Sequence, residues 1–380
     1  MADNFFINNP NGFLPKNNTN KILRESNALA FHQSLKEYQP TPLIDLPNLA
    51  KKYNVKNIFV KDDSPRFGLN AFKGLGASYA IYELLKSNKN IETFCTATDG
   101  NHGRAVAWSA QLHNKKAVVY MPKGSAQSRK EAIESYGGKV IVTEFNYEET
   151  CDIAAKISLE NNWQLVQDTA WDGYEEIPAY IMAGYLTHFI ELEITLHTEE
   201  EPKVDFVFLQ AGVGSWAAAA IWYYVNRYAK NKPKLIIIEP TNSNGILESF
   251  KQNKRAQPTG NLETIMAGLN CGIPSSTAWE VIKNNTDFVI AIDDEYAKQA
   301  MRNLYFPIGD DAKITAGESG AAGLAGFIAL MNDEQYLPLK NKIGINNNSS
   351  ILFYSTEGAT DRENFEKIIG IEVQEKSLEV

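Results

Sequence analysis

The stretch FGLNAFKGLGASYAIYELL, residues 67–85, decides how the rest of the chain is read. Ala77, Ala80, Ile81, Leu84 and Leu85 recur at helical spacing after a strand-like run, Asn57 to Lys61, so Lys73 stands where a strand hands over to the first turn of a helix. Glycines at 68, 74 and 76 and small residues at 71 and 77 let a flat group or another backbone come close. Phe72 and small residues flank the lysine instead of charges, so partial desolvation is expected to lower its pKa, as Schiff-base chemistry requires. Taken alone, Lys73 reads as a helix lysine snorkelling out of a packed start. Four further stretches reverse that reading.

Working outward, the amino-terminal twenty residues are rich in Asn and Phe, lack the basic-then-apolar layout of a signal peptide, and read as an irregular arm. Residues 23 to 38 look helical, and prolines at 40, 42 and 47 specify an extended segment before a helix around Leu49 to Tyr53. From residue 92, strands alternate with helices: strands at 93–98, 117–121, 139–143 and 164–167, helices from 102, at 125–136, 148–161 and 177–196. A second alternation runs from Val204: strands at 205–209, 235–238, 288–292 and 351–354, helices at 215–228, 246–254, 277–283, 294–305 and 318–331. Such alternation means right-handed crossovers and mainly parallel sheets.

The expected fold class is therefore α/β, two doubly wound, mainly parallel sheets with a cleft between them where the strands' carboxyl ends bind ligand. The acidic segment His197 to Lys203 is a candidate boundary. The expected division is a large domain of residues 1–85 and 201–380 and a small domain of 86–200.

The chain has 380 residues, 44% hydrophobic and 22% charged, enough for two domains around large cores. A formal charge of -9, with no basic cluster, argues against nucleic acid and anionic membrane surfaces as partners. The most apolar window, Val204 to Val225, is broken by Asp205, Gln210 and two glycines and is no membrane span. Cys95, Cys151 and Cys271 lie far apart, which suits a reducing, cytoplasmic compartment, and no Cys/His spacing suggests a metal. Cys271, near Gly268 and Gly272, reads as part of a loop by the cleft or as a buried structural cysteine.

Thr98-Asp99-Gly100-Asn101-His102-Gly103 follows a strand and opens a helix, where free N–H groups favour an anion; Asp99 reads as a base or partner for a cationic substrate, or as a helix cap. Gln210-Ala211-Gly212-Val213-Gly214-Ser215 presents successive N–H groups to a phosphate, and lacks both the lysine of a P-loop and the third glycine of a dinucleotide turn. Phe353 to Asp361, containing Ser355 and Thr356, offers hydroxyls to a heteroaromatic nitrogen, or is turn chemistry alone. Asp168, in VQDTAW, is a second acid in the cleft or a cap for the next helix.

In this order, with FGLNAFK, TDGNHGRAVAW, YMPKGSAQSR, VQDTAWDGY, LQAGVGS, IMAGLNCG, GESGA and STEGATD, the chain resembles the fold type II pyridoxal phosphate enzymes, the tryptophan synthase β and threonine dehydratase group. Within that group it resembles the diaminopropionate ammonia-lyase family, from about Tyr38 to Asp361. The resemblance implies pyridoxal 5'-phosphate held covalently by Lys73 beside Phe72, its 3'-hydroxyl on Asn101 and its phosphate on Gly212, Val213, Gly214 and Ser215. It also implies that Ser355, with Thr356 as second choice, faces the ring nitrogen. Asp99, His102 and Asp168 would meet a doubly aminated amino acid substrate, and serine and threonine dehydratases usually carry Ser where this chain has Asp99. Lys73 and Asp99 would remove the α-proton from opposite faces, so that L- and D-diaminopropionate both yield pyruvate and ammonia. Asp99 needs desolvation or an acidic neighbour such as Asp168 to become basic enough. A homodimer is implied as well. The alternatives are a serine or threonine dehydratase, or a catalytically silent protein that binds pyridoxal phosphate or an amino acid.

Overall fold

The structure, a computed structural model, describes residues 4–98, 100–198 and 200–370. Its elements run β1 (Phe5–Ile7), α1 (Asn18–Arg24), α2 (Ala28–Gln33), β2 (Leu43–Asp45), α3 (Pro47–Tyr53), β3 (Asn57–Asp62) and α4 (Lys73–Ser87). There follow β4 (Thr93–Ala97), α5 (Asn101–Leu112), β5 (Lys116–Met121), α6 (Gln127–Glu134), β6 (Lys139–Val142), α7 (Tyr147–Glu160), β7 (Gln164–Leu165) and α8 (Glu176–Leu196). The second half contributes β8 (Phe206–Gln210), α9 (Ser215–Tyr228), β9 (Lys234–Pro240), α10 (Gly245–Gln252), α11 (Ser276–Asn285), β10 (Phe288–Ile292) and α12 (Asp294–Tyr305). It ends with α13 (Ala322–Asn332), α14 (Leu337–Ile343), β11 (Ser350–Ser355) and α15 (Arg362–Ile369).

Two sheets result. Seven strands lie in the order β1-β10-β9-β8-β11-β3-β2, and four in the order β6-β5-β4-β7. All pairs are parallel except the two edges of the large sheet, β1 on β10 and β2 on β3. The strands FVFLQ (β8) and FVIAI (β10) are buried throughout, as continuous apolar runs must be when helices cover both faces of a parallel sheet. The fold class is as the alternation indicates.

Helix α8 is apolar nearly all round and accordingly buried, packed on α4, α9, α1 and α2. Its contact with α4 depends on glycine: a Cβ on Gly184 would lie 2.3 Å from the Leu75 carbonyl, and one on Gly76 would lie 2.5 Å from the Tyr185 ring. The small sheet spans 93–165, while α8 lies against helices of the large sheet.

Three local expectations are corrected. The helix expected over 23–38 is broken: α1 ends at Arg24 and α2 begins at Ala28. Ser26 Oγ accepts from Ala28 N at 3.2 Å and the Tyr79 hydroxyl takes Asn27 N at 3.2 Å, so short polar groups and a distant tyrosine compete for the helix N–H groups. The arm contains an edge strand, with Phe5 opposite Ile290 and Ile7 opposite Phe288. Helices α14 and α15 were not expected, although Asp361 Oδ1 caps α15 by accepting from Asn364 N at 3.2 Å.

Candidate active site

The carboxyl ends of β4, β8 and β11 and the start of α4 meet around a cavity of about 550 Å³. Phe72 N donates to Thr356 O at 3.0 Å and Gly358 N to Asn70 O at 2.9 Å, which ties the segment leading to Lys73 onto the end of β11. Lys73 is thereby the first residue of α4, with Nζ in the cavity 5.3 Å from the centre of the Phe72 ring.

Lys73 Nζ donates to Asp168 Oδ2 at 2.5 Å. Burial pulls the Lys73 pKa down, but the Asp168 carboxylate outweighs it and holds the amine above its ordinary value. The expectation of a lowered pKa is thus corrected, because the charge that governs Lys73 comes from another part of the chain. For Asp168, burial pushes the pKa up, while the Lys73 ammonium outweighs it and brings it to about 2. Asp168 is no helix cap, since the next helix begins at Glu176 with Glu175 at its cap.

His102 lies in the first turn of α5, buried, its Nε2 bonded to the Val166 carbonyl at 2.8 Å. Because a carbonyl only accepts, the proton sits on Nε2, and Nδ1 is left as a bare acceptor 4.0 Å from Asp168 Oδ2. Burial lowers the His102 pKa and keeps the ring neutral. Asn101 opens α5 on the cavity wall, with Nδ2 donating to Glu357 Oε2. Asp99 lies outside the described residues.

Gly212, Val213, Gly214 and Ser215 form the turn from β8 into α9 and line the cavity. Gly214 has φ +91°, which favours glycine, and a Cβ on Gly212 would lie 2.8 Å from Cys271 Sγ and 3.1 Å from Gly268 O. Cys271 is therefore a cavity-wall residue. Ser215 Oγ donates to Asp168 O at 2.6 Å and joins this turn to the acid beside Lys73.

At the end of β11 the two adjacent hydroxyls part company. Thr356 lines the cavity, its Oγ1 accepting from Gln210 Nε2 at 2.9 Å, so its own hydroxyl proton is free to donate. Ser355 is buried opposite Asp62 on β3, off the cavity wall. Of the two, Thr356, the residue just past the end of β11, is the one on the cavity wall.

Behind Phe72 stands a buried charge network. Glu191 on α8 accepts from Lys61 Nζ at 2.7 Å and from both Nη atoms of Arg66 at 2.7 Å, and Arg66 Nη2 also donates to Asp63 Oδ1 at 2.7 Å. Trp216 Nε1 donates to His188 Nε2 at 2.9 Å, so His188 carries its proton on Nδ1 and gives it to Asp63. Trp216 also stands on the cavity wall, one residue past the 212–215 turn. No local pattern announces this network, and none singles out Glu357 or Gln210, although both stand at or just past strand ends in motifs already noted.

These residues fit a phosphorylated, aldehyde-bearing heteroaromatic ring. An amine, an open helix start behind a glycine cradle, a donor hydroxyl and an amide face one cavity. The model of the family "Pyridoxal-phosphate dependent enzyme" matches residues 35–346. Diaminopropionate ammonia-lyase of Escherichia coli (strain K12) is 40% identical over 97% of this chain and 96% of its own. The chain belongs to the diaminopropionate ammonia-lyase family of pyridoxal-phosphate-dependent enzymes. Solved structures of the Escherichia coli lyase agree. Its complex with an aminoacrylate-PLP azomethine reaction intermediate superposes with a TM-score of 0.88, 39% identity and 96% of each chain covered. Its complex with D-serine gives a TM-score of 0.86 at 38% identity, covering 97% of this chain and 96% of that one.

Proposed function

We propose that the protein is a pyridoxal-phosphate-dependent β-elimination lyase that converts L- and D-2,3-diaminopropionate to pyruvate and ammonia. The observation that carries the reading is Asp168 holding a protonated nitrogen at 2.5 Å on the wall of the family's cofactor cavity. The cofactor, when bound, supplies an electron sink that acidifies the substrate's α-C–H. Lys73 would hold it covalently, Asn101 would serve its 3'-hydroxyl, the turn 212–215 its phosphate, and Phe72 would pack beside it. The Thr356 hydroxyl would donate to its ring nitrogen, leaving that nitrogen less charged than a carboxylate partner would.

Asp168 then receives the substrate's β-ammonium in place of Lys73, and keeps it protonated so that it leaves as ammonia. His102 Nδ1, beside Asp168, accepts a hydrogen bond from the same ammonium. Lys73 would take the α-proton on one face, and Asp99 on the other. The aminoacrylate product takes up water to give pyruvate and the second ammonia. Support for Asp168 as the ammonium partner is its low pKa, which keeps it ionised at neutral pH.

The test is release of 2-oxo acid from both diaminopropionates, both serines and threonine. Turnover of serine and threonine with none of diaminopropionate would replace this reading by the dehydratase, and cofactor binding without any turnover by the silent binder. Asp99→Asn is expected to abolish D-diaminopropionate turnover far more than L; equal loss removes the two-base assignment. A cytoplasmic homodimer is part of the proposal, supported by the family resemblance and by three cysteines that form no disulfide among the described residues, and sedimentation of the purified protein as a monomer would exclude the dimer. No helix among the described residues is long and apolar enough to cross a membrane.

A further inference from the structure

Three pieces of the cavity wall that arrive from distant parts of the sequence converge on Glu357. Its backbone bridges to Ala71, two residues before Lys73, in an isolated antiparallel pair. Its carbonyl accepts from Gly317 N at 2.9 Å, and the segment 317–320 lies so close that a Cβ on Gly320 would be 2.2 Å from Glu357 O. Its side chain, 6% exposed, accepts from Ser319 N at 3.0 Å through Oε1 and from Asn101 Nδ2 through Oε2. Ser319 Oγ in turn accepts from Gly268 N at 3.0 Å, so the 267–269 wall is bound into the same cluster.

The chemistry of that last contact is directional. Oε2 of Glu357 is the acceptor, so Asn101 turns its NH₂ toward it. One amide proton is spent there, and the second N–H and Oδ1 are fixed in direction. Asn101 opens α5, which follows β4 of the small sheet, whereas Glu357 lies two residues past the end of β11 of the large one. We infer that Glu357 is a positioning residue for cofactor binding: it sets the amide of Asn101 and ties α5 to the backbone that carries Lys73. This rests on the reading of the cavity as a pyridoxal phosphate site.

Glu357→Gln preserves size but replaces two acceptor oxygens by one, so an N–H is set against one of the two donors. Spectrophotometric titration of the apoenzyme with pyridoxal phosphate reads the consequence without turnover. The Kd is expected to rise about tenfold in Glu357→Gln, with partial rescue in Glu357→Asp, and the visible absorption band is expected to shift as the 3'-hydroxyl loses its oriented donor. The deciding comparison is made in an Asn101→Ala background, where Glu357→Gln is expected to add less than twofold. Equal factors in the two backgrounds would mean that Glu357 does not act through Asn101 and would overturn the inference. Failure of the wild-type apoenzyme to take up the cofactor would instead overturn the reading of the cavity, and the inference with it. If Glu357→Gln lowers thermal stability but leaves Kd and band unchanged, the residue only holds the fold and the inference is wrong.

Discussion

Replacing Asp168 by Asn should speed the capture of pyridoxal phosphate by Lys73 while slowing turnover, two effects of opposite sign from one side chain. The charges stand 2.5 Å apart with side chains 19% and 7% exposed, so water screens them little. At an effective dielectric constant of about 20, two unit charges at that distance attract by roughly 6–7 kcal/mol, an upper bound on what the pair gives Lys73. The net worth of a hydrogen bond to a charged group is about 1.5–3 kcal/mol. At about 1.4 kcal/mol per pKa unit, its loss lowers the Lys73 pKa by about one to two units. Only the neutral amine attacks an aldehyde, so the neutral fraction at pH 7 rises about 10- to 100-fold. Stopped-flow absorbance, following apoenzyme with pyridoxal phosphate across pH, should show the midpoint of the capture rate moving down by that amount. Turnover of diaminopropionate should fall about 10²- to 10⁴-fold with the loss of the group that receives the β-ammonium. Misfolding would slow both. An unmoved midpoint would refute the claim that Asp168 sets the charge of Lys73.

Two further outcomes concern stability. Glu191→Ala leaves two fully buried cations, Arg66 with Asp63 as its remaining carboxylate and Lys61 with no ion pair among the described residues; the cost expected is about 3–5 kcal/mol in urea unfolding, and a loss below about 1 kcal/mol would show the network to be dispensable. Glu239, buried at the end of β9 while accepting from Ile246 N and Leu247 N, is pushed by burial from 4.5 up to about 8. Its folded form holds a proton that the unfolded chain releases, so the stability it contributes is full below about pH 4.5 and is lost as pH rises toward 8. The slope is about 1.4 kcal/mol per pH unit across that window. Glu239→Gln should remove that slope in unfolding experiments across pH, and an unchanged slope would place the titration elsewhere.

The sequence by itself determined the α/β alternation, the position of each motif at the end of a strand, and the cofactor those motifs hold. Hydrophobic period and turn chemistry are local, which is why helix 215–228 and strand 288–292 were bounded as the structure has them. Only the tertiary structure decided the rest. The charge of Lys73 depends on an acid 95 residues away, brought beside it by the packing of the two sheets. Of two neighbouring hydroxyls, Thr356, just past the end of β11, lines the cavity, while Ser355, the last residue of β11, stands opposite Asp62; that follows from where the chain leaves the sheet and not from composition. The union of Asn101 with Glu357 spans 256 residues and both sheets, and a distance of that kind is fixed by how the elements pack, which no local pattern records.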